Sequence, residues 1–283
     1  MSHNAVRVIY KNLADSATLS ASSSASASTG VGNLKTNYKR QVWRSVGTSA
    51  VITATLNDLE YIGCVALPLC NLSVTSTIRV RVYDAAVLGA LVYDSGTQPA
   101  NPPGTFGELD WGYQALGFNN HYTLLPNHAY AVVWIPKETV GQRIEIELAD
   151  PTDNQFGYLE AARLVIGTYW EPEITADLGV QLGLDDNSSH TRTESHDLRT
   201  TQRPANRVLS FALSSLDPDE GQVLQGILNA TGISKPIFVS LYPEHEDPNM
   251  EKVHTVFGKL QRSNPMSTPF YNTRQQSLTV EEF

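Results

Sequence analysis

The stretch Thr77-Ile-Arg-Val-Arg-Val-Tyr-Asp84 alternates strictly between apolar and polar side chains. Successive side chains of an extended chain point to opposite faces, so Ile78, Val80 and Val82 share one face and Arg79, Arg81 and Tyr83 the other. A strand with one dry and one wet face belongs in an antiparallel sheet that covers a core. Similar alternation marks residues 5–10, Val42 to Ala54, Ala129 to Ile135 and Arg143 to Leu148. Tyr61 to Leu67 is almost continuously apolar instead, the pattern of a strand covered on both faces. Turn formers recur between these segments, and no helical period appears before Asp150. With 19 glycines and 15 prolines spread along 283 residues, the patterns predict a mainly β chain. Residues 1–153 read as an antiparallel β-sandwich of jelly-roll type.

The stretch Leu19-Ser-Ala-Ser-Ser-Ser-Ala-Ser-Ala-Ser28 has the composition of a flexible tether. Only eighteen residues precede it, too few for a domain to be tethered. Thr18 to about Ser24 is therefore expected to be a strand of the sandwich, with Ala25 to Gly32 as its exit turn.

A run of turn formers, Asp150-Pro-Thr-Asp-Asn154, sets the expected domain boundary. Beyond it, Tyr158 to Trp170 reads as one long strand. Residues 185–206 are polar and predict an exposed hairpin or arm. Arg207 to Leu213, Ile237 to Tyr242, Val253 to Leu260 and Gln276 to Val280 read as further strands. Between them, Asp217 can cap a helix, Pro218 suits its first position and Glu220 completes a capping box. Val223, Leu224, Ile227 and Leu228 form its apolar stripe, and Gly232 its end. Residues 154–283 thus predict a smaller α+β unit, a sheet carrying one helix.

The formal net charge is −9, with no cluster of Lys and Arg to displace counterions, which excludes a nucleic-acid binder. No apolar run approaches the length of a bilayer span, and Met-Ser-His-Asn-Ala opens no apolar leader. Synthesis in the cytoplasm without membrane insertion is expected. The serine-hydrolase elbow, the zinc-protease helix motif, the phosphate-binding glycine loop and the dinucleotide fingerprint are all missing, so neither an enzyme nor a cofactor is expected. His190, Glu194 and His196 lie in a Ser/Thr/Asn-rich stretch that reads as solvated loop rather than metal site. Asp185 and Asp186 lack the spacing of a calcium loop.

Cys64 and Cys70 lie six residues apart, roughly 20 Å along a strand at ~3.3 Å per residue, too far for a disulfide. The even spacing predicts both on one face, buried as small hydrophobes. Trp43 is expected in the core, and Arg44 on the opposite face. The aromatic-rich stretch Gln98 to Tyr122 interrupts the strand rhythm. Phe106, Trp111 and Tyr113 could stack on sugar rings, or pack against the sandwich or a subunit interface.

The order Ser20-Ala-Ser-Ser-Ser, Gly32-Asn-Leu34, Gln41-Val-Trp-Arg-Ser45 resembles galactose-binding-like jelly rolls of the discoidin type. Residues 6–84 more closely resemble the N-terminal part of tail and baseplate proteins of tailed bacteriophages. The strand–helix–strand order of the second half, with Gly258-Lys-Leu near its end, resembles ring-forming distal tail proteins. The resemblance implies a non-enzymatic tail-tip or baseplate component of the virion. It would assemble with itself into a ring joining tube to tip, and with other tail proteins. The alternative is a receptor- or polysaccharide-binding module that meets host surface glycan through Phe106, Trp111 and Tyr113, with a cell-wall glycan hydrolase behind both.

Overall fold

The computed structural model describes residues 5–102, 129–203, 205–262 and 265–283. In chain order the first strands are β1 (Arg7–Ile9), β2 (Thr18–Ala21), β3 (Trp43–Arg44), β4 (Ser49–Tyr61), β5 (Cys64–Cys70) and β6 (Thr77–Tyr83). Then come β7 (Leu91–Asp94), β8 (Gln98–Pro99), β9 (Ala129–Trp134), β10 (Val140–Ala149), β11 (Glu160–Ala161) and β12 (Val165–Gly167). The remainder comprises β13 (Gln181–Asp186), β14 (Ser189–Arg192), β15 (Leu198–Thr201), β16 (Ala205–Leu216), β17 (Ile237–Ser240), β18 (Thr255–Leu260), β19 (Ser267–Phe270) and β20 (Thr273–Glu282). Two α-helices, α1 (Pro218–Thr231) and α2 (Pro248–Val253), and three short 3-10 helices, Leu13–Asp15, Ala27–Thr29 and Val31–Lys35, complete the described elements. The protein is mainly β.

Residues 9–170 and 242–255 form one compact unit, a β-sandwich. Its six-stranded sheet runs β2-β4-β10-β6-β7, with β8 on β6, and its five-stranded sheet runs β12-β5-β11-β3, with β9 on β5. The alternation of β6 is realised in its register with β10. Ile78, Val80 and Val82 sit opposite Leu148, Ile146 and Ile144, and all six are core residues. Arg79, Arg81 and Tyr83 sit opposite Glu147, Glu145 and Arg143 on the outer face. There Arg81 pairs with Glu147 and Glu145, Tyr83 donates to Glu145 Oε2 at 3.0 Å, and the Arg143 guanidinium lies 4.1 Å from the Tyr83 ring. Arg79 grips Asp94 of β7 through Nε and Nη2 at 2.9 and 2.6 Å. This ladder holds the Asp94 carboxyl well below its ordinary value, at about 2, chiefly through the hydrogen bonds from Arg79.

The serine-rich stretch is ordered. Thr18–Ala21 pairs with β4, and Ser26 then caps a 3-10 turn at Ala27–Thr29. Tyr158 to Trp170 is not one strand. Ala161 pairs with Cys70 and Val165 with Ala66, while the ladder is broken between them. The break lies opposite a bulge in β5, where Leu69 adopts φ 58° and the register to β9 slips by one residue. The extra residue is counted against β9 alone. On the other side the register is the same at both ends of the gap, and Ala162 N still donates to Leu69 O at 3.1 Å, so what is lost there is only the regular ladder. In the gap Arg163 is buried and reaches Asp15 Oδ1 at 2.5 Å.

Residues 5–8, 171–241 and 256–283 form the second compact unit, where the sequence placed a single boundary at 153/154. The difference has a simple cause: β11 and β12 pair with β5 and so belong to the sandwich. The sheet order is β1-β17-β18-β20-β16-β13, with β19 on β20. Thus the N-terminal strand joins a sheet made otherwise from the C-terminal half. Gly258 of β18 allows the close approach of β20, since a Cβ there would lie 1.9 Å from the Glu281 carbonyl oxygen. Arg207 and Glu282 form a buried ion pair at 2.5 Å across β16 and β20. Helix α1 carries the predicted capping box and buries Leu224, Ile227 and Leu228. Val223, assigned to the same stripe, is half exposed, because it falls at the edge of the apolar arc. The polar stretch forms an exposed hairpin of β14 and β15. Val253 ends α2 instead of beginning β18.

Candidate functional site

Strand β9 presents Ala129, Ala131 and Val133 to the sandwich core and Tyr130, Val132 and Trp134 to the outside of the sheet. Residues 242–255 pack on that outer side. Asp247 caps the short helix α2 by accepting from Asn249 N at 2.9 Å, with Pro248 at the first helical position. The helix brings Glu251 to the indole of Trp134, whose Nε1 donates to Glu251 Oε1 at 2.6 Å. The other carboxylate oxygen accepts from the Glu244 backbone N–H at 3.1 Å. Trp134 also meets Tyr169 edge-on, with ring centroids 5.3 Å apart.

Between β8, β9 and α2 lies a half-open cavity of about 240 Å³. Trp134, Tyr130, Glu244, Glu251, Lys252 and Pro102 are among its lining residues. Glu244 stands at φ 54°, a left-handed conformation that strains a non-glycine residue. Lys252 is 6% exposed, and its Nζ donates to the Pro102 carbonyl oxygen. Burial pulls its amine down to about 7, against the opposing pull of Glu251 and Asp247. The cavity therefore combines an indole, two carboxylates and an amine that is partly neutral near pH 7, in a space suited to one small polar ligand.

A second cavity, about 420 Å³, lies on the outer face of the six-stranded sheet and includes Ser22, Ser49, Thr77, Thr97, Arg79 and Glu147. Among the described residues no aromatic ring lines it, and its arginine is already held by Asp94.

Among the described residues, those singled out in the sequence do not line the first cavity. Phe106, Trp111 and Tyr113 lie outside the described residues. Trp43 is fully buried, with Nε1 donating to Ser23 O at 3.1 Å, and Arg44 pairs with Glu160 and covers the Tyr158 ring. Cys64 and Cys70 are both buried thiols. They do not share a face as their spacing predicted: Cys70 joins Val65 and Leu67 in the core cluster and Cys64 does not, because the bulge at Leu69 inverts the alternation. His190 shares a hydrogen bond with Thr200 Oγ1 at 2.9 Å in the exposed hairpin. Among the described residues, no three or more His, Cys, Asp or Glu are grouped to hold a metal, and no helix is long and apolar enough to cross a membrane. The sequence reading missed Trp134, Glu244, Glu251 and Lys252. One signal was available: Asp247-Pro248 repeats the Asp217-Pro218 start of α1.

No family model and no curated protein matches the chain. Solved structures do overlap with it. One is chitosan-binding module 1 from a Paenibacillus chitosanase/glucanase, 12% identical, covering 55% of this chain and 98% of that one, with a TM-score of 0.38. Another is the family 32 carbohydrate-binding module of Clostridium perfringens NanJ in complex with galactose, 12% identical over 58% and 99%, TM-score 0.37. A third is a Streptococcus pneumoniae fucose-binding module, 15% identical over 56% and 99%, TM-score 0.35. The overlap spans little more than half of this chain, and the β-sandwich assignment rests on the strand pairings themselves.

Proposed function

We propose that this chain is a non-enzymatic recognition component of a larger assembly, whose β-sandwich holds a small polar ligand of the sugar class. The observation that carries the reading is the Trp134 cavity. Sugars present apolar C–H patches to aromatic rings and hydroxyls to carboxylates, and this cavity offers both kinds of group. The resemblance of the motifs between Ser20 and Ser45 to galactose-binding-like jelly rolls agrees with it. Saturation-transfer NMR with galactose, fucose, N-acetylgalactosamine and glucosamine tests it. At least one sugar binds at millimolar concentration, and Glu244→Gln weakens that binding about tenfold. Absence of saturation transfer from the folded protein to any of these sugars would overturn the reading.

A second reading, a structural ring component of a phage tail tip, is favoured by a different observation. Strand β13 ends its sheet with all six residues exposed, Leu182 and Leu184 among them, and the β14–β15 hairpin beside it in sequence is equally exposed. An open edge of this kind is a template for pairing with another chain. Light scattering on the full chain would give a multimer that Leu184→Lys dissociates. A monomer at all concentrations, alone and with other tail proteins, would count against it.

A further inference from the structure

Lys252 is the one feature of the cavity that sugar binding leaves unexplained. A lysine head group normally stays in water, yet this one lies on α2 with its amine turned to the cavity wall at Pro102. Both oxygens of neighbouring Glu251 already accept hydrogen bonds, from Trp134 Nε1 and from the Glu244 N–H. Glu244 adds its carboxylate to the same lining, on a backbone strained into the left-handed region. Glu251 and Asp247 from its own segment and the Cys70 thiol of β5 are among the groups that bear on the amine. Burial outweighs the carboxylates and releases the proton near neutral pH.

We propose that Lys252 is a nucleophilic amine that captures small neutral carbonyl compounds in this cavity as a reversible imine. The Nζ lone pair adds to the carbonyl carbon while the carbonyl π pair moves onto oxygen. One N–H proton passes to that oxygen, giving the carbinolamine. Hydroxide then leaves the carbon, taking up the second N–H proton as water, and the C=N bond forms. Atoms and charge balance without oxidant or reductant. The Glu244 carboxylate on the cavity wall is the group suited to carry the proton. Carboxylates at positions 244, 247 and 251 disfavour keto acids, so aldehydes and open-chain aldoses are the class. The proposal uses the cavity of the preceding section but not its sugar reading.

The test incubates the full-length protein with glyceraldehyde, reduces with borohydride and maps the modified lysines by peptide mass spectrometry. At pH 7.5 an ordinary exposed lysine is neutral in about one part in a thousand. Lys252 is therefore expected to carry about tenfold or more label than any of Lys11, Lys35, Lys39, Lys137, Lys235 and Lys259. Its labelling reaches half-maximum near pH 7, and Glu244→Gln slows it without moving the modified position. Even labelling of the exposed lysines, a folded protein unlabelled at Lys252, or a half-maximum near pH 10 would each overturn the proposal. Sugar binding measured by NMR without reductant reports the other reading independently. Labelling without sugar binding supports the imine alone, and sugar binding without labelling overturns it.

Discussion

Burial holds the Lys252 amine down at about 7 and the Cys70 thiol up at about 11, against 10.5 and 9.0 for the same groups in an unfolded chain. Stability rises with pH wherever the unfolded chain binds more protons than the folded one. From pH 7 to 9 the unfolded lysine keeps a proton that the folded lysine has lost, so stability climbs, by at most about 1.4 kcal/mol per pH unit. From 9 to 10.5 the unfolded thiol has lost a proton that the folded thiol keeps, and the two effects cancel. From 10.5 to 11 the thiol acts alone and stability falls. Denaturant unfolding across this range is expected to show the climb, the plateau and the fall. Lys252→Met should remove the climb and Cys70→Ala the fall; a flat wild-type profile from pH 7 to 9 would contradict the assignment. Neither residue announced this in the sequence. Cys70 was legible as buried, because its strand is apolar throughout, but its facing depends on the bulge at Leu69, which only Pro68, a residue that interior strands admit at bulges, foreshadows. Lys252 sits in Met-Glu-Lys-Val, which looks like any exposed turn of helix.

At the level of elements, legibility follows how much of the determining physics is local. Helix α1 was readable because its stop and start signals are its own: Glu220 accepts from the Asp217 N–H at 3.1 Å and Asp217 accepts from the first turn. Replacing Asp217 by Ala is expected to cost about 1 kcal/mol of stability to denaturant, within a range of roughly 0.5–2. An unchanged unfolding midpoint would mean that tertiary packing alone holds the helix start. Strand β6 was readable for the same reason, since alternation is written in consecutive residues, whereas the ion pairs of its outer face reach to β7 and β10. Strands β11 and β12 were merged into one because their interruption is imposed by a partner, β5, almost a hundred residues earlier. The candidate site fared worst: α2 is six residues long, too short for a helical period to register, and it becomes a wall of the cavity only through its packing on β9.

For the whole molecule, the sandwich is discontinuous, since residues 242–255 lie beyond most of the second unit in sequence yet belong to the first. No composition shift or linker signals such an exchange, and so a single cut at residue 153 looked sufficient. The segment covers the outer face of β9, where Tyr130 is 2% exposed, and supplies Glu251 to the Trp134 indole. A fragment spanning residues 9–170 would uncover that face. Restoring one buried aromatic side chain to the core is worth roughly 1.5–3 kcal/mol, and the lost indole hydrogen bond to a charged partner adds about 1.5–3. The fragment is therefore expected to unfold at clearly lower denaturant than the same fragment with residues 242–255 attached through a Gly/Ser linker. Trp134→Phe should narrow the gap between the two by deleting the hydrogen bond while keeping a ring in place. Equal midpoints for the two fragments would show that the segment is an ornament of the sandwich. A recovered midpoint would show that the sandwich is completed by a strap from the far end of the chain, and that the candidate cavity exists only where that strap is seated.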